Sequence, residues 1–365
     1  ILAFLPGEAE IRRVGAALAG RLGDGVDIQP LFGAMGAGAQ RAALAPAPGG
    51  RRKLVLATAI AETSLTIPDI RIVVDGGRAR RARHDPGSGM TRLVTERVSR
   101  AEAAQRQGRA GRVAPGLCFR LWARAEEGAL PAHAPPEIAA ADLAGLALEL
   151  ALWGTQDGLS FLTPPPAAAL VEARALLADL GALDAAGRIT DHGRRMAALP
   201  LHPRLGHMLL CAGPAAAPLA ALLADRDPLR GAPPDLGLRL AALADPARFR
   251  RDHPWEIHAP TLERITQEAR RLRRLLPAGA GGQGNTRSPG AMAALAYPDR
   301  IGLRRPGAAP RWLLSGGKGA AMAPGLPLSG ARLIVASDLD GDQREATIRQ
   351  AATLDLDSLR ADHAA

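Results

Sequence analysis

Apolar and polar positions in the first 125 residues alternate between short buried runs and amphipathic stretches with helical spacing. The apolar runs predict strands over 1–5, 27–31, 54–58, 70–75 and 117–122. The amphipathic stretches predict helices over 8–22, 38–45 and 100–110. An alternation of strand and helix indicates a parallel sheet with helices on its faces. In such sheets ligands bind beyond the carboxyl ends of the strands.

A hairpin is predicted between the last two strands of this region. Two extended runs within residues 78–99 flank the sequence Asp-Pro-Gly-Ser-Gly at 85–89. Proline and glycine in this order are typical of a tight turn. The hairpin therefore interrupts the alternation of strand and helix.

The rest of the chain is mainly helical, and it ends in β-like runs. Residues 126–137 form a Pro- and Ala-rich linker, and two helices are predicted over 140–153 and 165–180. A small hairpin over 183–190 follows, and this order is typical of a winged helix. Further predicted segments are helices between 203 and 276 (the last of them, 261–276, strongly basic), a Gly-rich loop over 277–290, and short strands from Arg311, such as 331–336.

Composition adds a candidate partner. The 365 residues are 47% hydrophobic and 3% aromatic, so the core is expected to consist of Leu, Ala and Val. A net charge of +10 favours a polyanionic partner such as nucleic acid. The alternative is that a GC-rich genome inflates Arg and Ala, and the presence of only two lysines, Lys53 and Lys318, supports it. Charge alone leaves both readings open.

Cysteine usage and hydropathy argue against a disulfide-rich, a metal-binding or a membrane-spanning protein. Cys118 and Cys211 are too few for a disulfide scaffold or a metal site, and both are expected in the core. No run approaches 18 apolar residues, so no membrane span is predicted. The chain begins without Met inside a strand-like run. We therefore expect a fragment that lacks an N-terminal part.

The stretch QRQGRAGR at 105–112 is the strongest candidate for chemistry. Arg109 and Arg112 each follow a glycine. Guanidinium groups bind phosphate bidentately, and glycine lets a ligand approach the backbone closely. The alternative is a solvated basic helix, which two glycines would weaken by about 1 kcal/mol each. We interpret the stretch as part of a polyphosphate site.

The remainder of such a site is not found in the sequence. A phosphate-binding loop needs GxxxxGK followed by Ser or Thr, whereas Gly319 follows Lys318 and Trp312 stands where the first glycine should be. No Asp-Glu dipeptide occurs, so an acidic Mg²⁺ motif of that type is absent. We therefore expect the arginines to complete a site whose other half lies outside this sequence.

Two further stretches carry weaker signals for phosphate contacts. In LATAIAETSLTIPDIRIVVDGG at 56–77, a polar loop follows a buried strand that ends at Thr58. Hydroxyls such as that of Thr63 and backbone amides at a strand end can bind a phosphodiester. In ILAFLPGEAEIRR at 1–13, a Pro-Gly turn precedes a helix whose first amides can also meet phosphate.

These three stretches, in this order, resemble motifs IV, V and VI of the DEAH/RHA group of superfamily 2 helicases. The following segment PGLCFRLW at 115–122 fits the same group. A longer string is similar to the bacterial HrpB-type helicases: ADLAGLALEL at 141–150, LTPPPAAALVEARALLADLGALD at 162–184 and ITDHGRRMAALPLHPRLGHMLL at 189–210, with ALAYPDRIGLRR at 294–305. The resemblance covers nearly the whole chain.

The resemblance implies a fold class and a domain order. It implies an α/β RecA-like lobe with a parallel sheet and flanking helices, then mainly α winged-helix and helical-bundle domains, then a small β-rich, OB-like segment. The implied ranges are 1–125 for the second RecA-like lobe, 126–202 for the winged helix, 203–284 for a ratchet-like helical bundle and 285–365 for the β-rich segment, which we expect to be incomplete. The first RecA-like lobe is expected to precede Ile1.

The resemblance also implies residue roles. Arg109 and Arg112 match the motif VI arginines that reach nucleotide phosphates, and Gln105 matches the glutamine near the attacking water. Thr58 matches the motif V threonine on the nucleic-acid backbone. The further implied contacts are Ser64, Thr66 and Leu44 with nucleotide and Gly7 and Thr63 with nucleic acid, where the Gly7 amide replaces a hydroxyl that relatives often carry at Pro6.

The implied activity is ATP-dependent unwinding of nucleic acid, with RNA as substrate and 3′-to-5′ polarity. The implied cofactor is ATP with Mg²⁺, whose ligands are expected in the preceding lobe. The fragment alone is expected to be inactive, and the protein is expected to be a cytoplasmic monomer without membrane contact. Two alternatives stay open: a non-enzymatic nucleic-acid-binding remnant, and a DNA rather than an RNA helicase, since no 2′-hydroxyl reader is visible in the sequence.

Overall fold

The computed structural model describes residues 1–63, 67–85, 90–112, 114–155, 159–276, 287–340 and 345–363. The chain divides into two compact units. The first comprises residues 1–83 and 93–140, and the second comprises residues 84–92 and 141–365.

The first unit is built on a parallel sheet, as the sequence predicts. Its elements are β1 (Leu2–Phe4), α1 (Glu8–Ala19), β2 (Val26–Leu31), α2 (Ala37–Leu44), β3 (Arg52–Ala57), β4 (Ile72–Asp75), most of the hairpin strands β5 (Arg78–Asp85) and β6 (Met90–Arg97), α3 (Arg100–Gly108) and β7 (Leu117–Arg120). The hairpin residues 84–85 and 90–92 are grouped with the second unit. The sheet order is β2-β3-β1-β4-β7, and every pair of neighbours is parallel. All five carboxyl ends therefore meet at one edge.

The interior strands of this sheet are mainly apolar, as is typical of strands covered on both faces. Leu2, Val55 and Val73 are fully buried and lie level with one another in β1, β3 and β4. The hairpin of β5 and β6 forms a separate two-stranded sheet. Two of its arginines pair with one carboxylate: Arg83 donates to Glu96 at 2.7 Å, and Arg81 donates to Glu96 at 3.3 Å.

The second unit combines helices with a small barrel. Its helices are α4 (Ala144–Trp153), α5 (Ala167–Asp179), α6 (Asp191–Ala197), α7 (Pro203–Ala212), α8 (Ala217–Ala224), α9 (Leu236–Ala244), α10 (Pro246–Asp252), α11 (Ala259–Leu275), α12 (Pro289–Ala296) and α13 (Leu356–His363). Its strands are β8 (Leu229–Arg230), β9 (Glu256–Ile257), β10 (Ile301–Arg304), β11 (Arg311–Leu314), β12 (Gly319–Ala321), β13 (Leu333–Leu339) and β14 (Ala346–Thr353). The last five close into a barrel in the order β10-β11-β12-β14-β13.

The helical segment Pro203–Ala224 corrects the prediction that no stretch could span a membrane. It is long and apolar enough to cross one by length and composition. Half of its most apolar window is buried inside the protein, where residues such as Met208, Leu209 and Leu219 contribute to the main hydrophobic cluster. This burial is typical of a core helix.

Helix α12 lies where the sequence predicts a loop and then a β-rich segment. Ser288 caps it by accepting a hydrogen bond from the Ala291 amide at 3.2 Å. Every residue from Gly290 to Ala296 is buried, and residues 291–296 belong to a cluster that includes residues of α7, α8, β13 and β14. A Cβ at Gly290 would overlap the Thr353 carbonyl, so the helix and β14 touch through a glycine. The apolar, Ala-rich run is therefore a core helix.

The predicted fold class is confirmed in its main parts: a parallel α/β sheet, a mainly helical region and a small β-barrel. The small hairpin predicted over 183–190 is present as a bridge between Leu183 and Ile189. The barrel begins at Ile301, earlier than predicted. The winged-helix, bundle and barrel boundaries given above stay predictions.

Candidate nucleotide and nucleic-acid site

Two predicted contacts with nucleic acid lie at the carboxyl edge of the parallel sheet. Thr58 directly follows β3, and Gly7 follows β1 and is the N-cap of α1. The two strands are neighbours in register, because Phe4 pairs with Ala57. The structure thus brings Thr58 and Gly7 to the same edge. Thr58 is half-buried, and its amide donates to the Leu31 carbonyl at 3.1 Å, which fixes the start of the loop.

The sequence Asp75-Gly76-Gly77 forms the turn that follows β4. Gly77 has φ 69°, and its amide donates to the Asp75 carboxylate at 2.8 Å. A Cβ at Gly77 would come within 2.7 Å of the Trp122 ring, and one at Gly76 within 2.9 Å of the Phe4 carbonyl. Only glycine fits at these two positions. The turn therefore holds the buried Asp75 carboxylate in a fixed place.

Helix α3 directly precedes Arg109 and Arg112, and its start is strongly fixed. Ser99 accepts a hydrogen bond from the Glu102 amide at 3.2 Å, and the Glu102 carboxylate accepts one from the Ser99 amide at 2.7 Å. This reciprocal pair is a capping box. It places the side chain of Arg106, two turns into the helix, against the turn after β4.

Arg106 is almost fully buried and joins three parts of the first unit. Its guanidinium donates to Glu62 at 2.7 Å and to Asp75 at 2.8 Å, and it lies 4.9 Å from the centre of the Phe4 ring. Glu62 belongs to the loop after β3, so the arginine links that loop to β4 and α3. One cation thus serves two carboxylates in an interior where an unpaired charge is costly.

Arg109 is also buried and holds the same loop by its backbone. Its Nε donates to the Glu62 carbonyl at 2.7 Å, and a second guanidinium N–H donates to the same oxygen. Burial and the neighbouring Arg112 lower the pKa of Arg109, whereas burial raises the pKa of Glu62 against the opposing effect of Arg106. Arg106 and Arg109 therefore both hold the loop that begins at Thr58, through hydrogen bonds to Glu62.

Gln105 and Arg112 are exposed, unlike Arg109. The structure corrects the predicted helix, which ends at Gly108 and not at 110, so that Arg112 lies beyond it in a bend and does not share a helical face with Arg109. A Cβ at Gly108 or Gly111 would meet no described atom within 4 Å. Packing within the described chain does not require either glycine, and both leave space beside the arginines.

The other predicted site residues are placed differently. Thr63 is exposed on the loop after Glu62. Ser64 and Thr66 lie outside the described residues. Leu44, at the end of α2, packs against the hydrophobic cluster of the sheet. This packing explains Leu44 without a ligand, and its contact with a nucleotide base stays a prediction.

Sequence reasoning missed Arg106, Glu62 and Asp75, which form the polar centre of this region. All three residues lie in stretches that the sequence pattern singles out: Arg106 in QRQGRAGR at 105–112, and Glu62 and Asp75 in the stretch 56–77. Only the fold shows that the three side chains meet.

The arrangement fits phosphate better than it fits a metal ion. An exposed guanidinium beside open space suits a phosphate group. Mg²⁺ prefers free carboxylates and water, but Glu62 and Asp75 are both engaged by Arg106. The chemistry of the described side chains therefore suits phosphate, and ligands for Mg²⁺ would have to come from other residues.

Comparison with protein families gives two matches within the chain. A family described as the helicase conserved C-terminal domain matches residues 1–114, which include all of the site described above. A family described as the helicase associated domain (HA2), winged-helix, matches residues 173–201. The second match supports the winged helix that the sequence predicts.

Individual relatives extend the similarity to nearly the whole chain. The ATP-dependent RNA helicase HrpB of Escherichia coli is 40% identical over 98% of this chain. The pre-mRNA-splicing factor ATP-dependent RNA helicase prp22 of Schizosaccharomyces pombe is 41% identical over 58% of this chain and 19% of its own length. The crystal structure of the E. coli DExH-box NTPase HrpB superposes with a TM-score of 0.83 at 39% identity, covering all of this chain. The chain spans 43% of the length of the E. coli protein.

Proposed function

Because the chain belongs to the HrpB-type group of DEAH/RHA helicases, we propose that it forms part of an ATP-dependent RNA helicase. In this proposal it supplies arginines to an ATP site and backbone contacts to a single strand. The phosphate-binding loop and the Mg²⁺ ligands come from residues outside this sequence, which contains no GxxxxGK[ST] motif. ATP with Mg²⁺ is the proposed cofactor.

The observation that carries the proposal is the single loop shared by both functions. Thr58, at the start of the loop, is the proposed contact with a nucleic-acid phosphate, and Glu62, four residues later, is held by Arg106 and Arg109. A movement of motif VI would therefore be transmitted to Thr58 through only a few residues. Such a connection is what an enzyme needs to couple nucleotide hydrolysis to movement along a strand.

The arginines have distinct proposed roles. Arg112 is exposed and contacts the γ-phosphate, where a planar cation can follow the charge that develops during transfer. Gln105, also exposed, orients the attacking water. Arg109 reaches the phosphates only if it releases the Glu62 carbonyl. Nucleotide binding therefore changes the contact between Arg109 and the loop. Proposed nucleic-acid contacts are Thr58, Thr63 and the Gly7 amide.

The purified chain is expected to hydrolyse no ATP above background, with or without RNA, because one half of the site is supplied elsewhere. Phosphate release from Mg·ATP measures this, with the E. coli HrpB protein as a parallel reaction. The full-length protein that contains the chain is expected to show turnover that RNA stimulates. Turnover by the purified chain would contradict the split site, and a full-length protein without RNA-stimulated turnover would contradict the helicase function.

The chain is expected to bind single-stranded RNA weakly and with strong dependence on salt. Residues 71–112 contain eleven arginines and four acidic residues. For single strands, the logarithm of the affinity falls with the logarithm of salt by about 0.7 for each phosphate neutralised. Fluorescence anisotropy with labelled RNA and with DNA of the same sequence measures the slope and the preference between the two. An affinity that does not change with salt would contradict a phosphate-tracking surface.

A further inference from the structure

Two histidines and a cysteine of the second unit meet at the packing of α6 on α7, far along the chain from the helicase motifs. His192 lies on α6, and His207 and Cys211 lie one turn apart on α7. The His192 Nε2 and His207 Nδ1 atoms are 2.9 Å apart, and the Cys211 Sγ is 3.8 Å from the same His207 Nδ1. One ligand atom from each residue lies within 4.8 Å of the others.

Two of these separations are close to those between ligands that share one metal ion. At Zn–N distances of about 2.0–2.1 Å and a Zn–S distance of about 2.3 Å, tetrahedral ligand atoms lie roughly 3.3–3.6 Å apart. The distances of 2.9 and 3.8 Å from the His207 Nδ1 lie on either side of that range, so rotation of the side chains would be needed to admit an ion. The two imidazole planes are nearly perpendicular, at 87°, so their lone pairs can converge without stacking of the rings.

We propose that His192, His207 and Cys211 form a binding site for a zinc-like divalent cation between α6 and α7. Imidazole and thiolate together suit zinc, and they disfavour Mg²⁺ and Ca²⁺, which require oxygen ligands. Three protein ligands leave one tetrahedral position for water or for another ligand. All three side chains are half-buried, so an ion can enter and still be partly shielded from solvent.

The fold explains why these residues are well placed. His207 and Cys211 are four residues apart on one helix, which sets both side chains on the same face. Thr190 fixes the start of α6, since its side chain accepts a hydrogen bond from the Gly193 amide at 3.0 Å. A Cβ at Gly193 would overlap the Ala182 carbonyl, so the first turn of α6 packs closely on the preceding segment. His192 is thereby held toward α7 before any ion binds.

The alternative is that the hydrogen bond between His192 and His207 only stabilises the packing of α6 on α7. That function requires no thiol, and it predicts no affinity for soft cations. The two explanations therefore differ in a directly measurable property of the chain.

Cobalt(II) titration of the untagged, reduced and chelator-treated chain tests the site. We expect one equivalent of Co²⁺ to bind, with a near-ultraviolet thiolate-to-cobalt band and the visible bands of tetrahedral cobalt, and Zn²⁺ to displace it. Cys211→Ala should abolish the thiolate band, and His192→Gln should weaken binding tenfold or more. The matched controls Cys118→Ser and His133→Gln, which change the other cysteine and an exposed histidine, should leave both unchanged.

Two results would overturn the proposal. One is a wild-type chain that shows no thiolate band at stoichiometric Co²⁺. The other is a band that persists in Cys211→Ala or is lost equally in Cys118→Ser. Circular dichroism of each variant identifies any that fails to fold, and the wild-type titration decides the question without a variant.

Discussion

Arg112→Lys in the full-length protein is expected to lower the turnover of ATP at saturating RNA by about 10²-fold or more, the loss typical of a missing transition-state contact. The affinity for nucleotide is expected to change by no more than about threefold, because lysine keeps the positive charge. Lysine lacks the planar fork that can contact two phosphate oxygens as charge builds on them. Steady-state hydrolysis and equilibrium binding of a fluorescent nucleotide measure the two quantities separately.

The structure makes this test specific to Arg112. Arg106 and Arg109 are buried and engage Glu62, so their replacement would also disturb the fold, whereas Arg112 is exposed beyond the end of α3. Arg13→Lys is the matched control, since Arg13 is an exposed arginine on α1 whose side chain is 77% accessible. The control should keep full activity. Unchanged turnover in Arg112→Lys would end its assignment as an arginine finger.

Arg106→Met is expected to destabilise the first unit by about 3–5 kcal/mol, because it leaves the Glu62 and Asp75 carboxylates buried without their cation. The Arg106 side chain is 1% exposed and bonds to both carboxylates at 2.6–2.8 Å. Hydrogen exchange of peptides from β1, β3 and β4 measures the effect locally. Their exchange should become faster by 10²-fold or more, since each 1.4 kcal/mol corresponds to about a factor of ten.

The control for Arg106→Met is the substitution of an arginine that belongs to an exposed ion pair. Arg12 contacts Glu8 at 2.7 Å, but its side chain is 69% exposed, so Arg12→Met should cost less than about 1 kcal/mol. Equal effects of the two substitutions would show that the buried pair does not hold the first unit together. Peptides from the second unit serve as an internal reference in both variants.

The order of strands and helices in the first unit could be predicted because burial of the strands leaves a direct mark on the sequence. Runs such as the one ending at Ala57 are apolar throughout, since both faces of the sheet are covered. The positions of Thr58 and Gly7 at one edge follow from that order alone.

The end of α3 could not be predicted, because a contact distant in sequence accompanies it. Arg109, the first residue after the helix, donates to the carbonyl of Glu62, 47 residues earlier. Similarly, nothing in the composition distinguishes Arg106 from the other basic residues, and its burial depends on where Asp75 and Glu62 lie. His192 and His207 are 15 residues apart on different helices, which matches no metal-binding spacing in the sequence.

Helix α12 has a consequence for how this protein can change in evolution. Its side chains contribute to one cluster with residues of the helical region before it and of the barrel strands after it. Recombination between related genes with a crossover near codon 288 would join an α12 from one parent to an α7 and α8 from another. Substitutions that had compensated for one another on α12 and on α7 or α8 would then be separated, and the packing between these helices would be disturbed. We therefore expect the helical region and the barrel to be inherited as one block, while exchanges in exposed loops are tolerated.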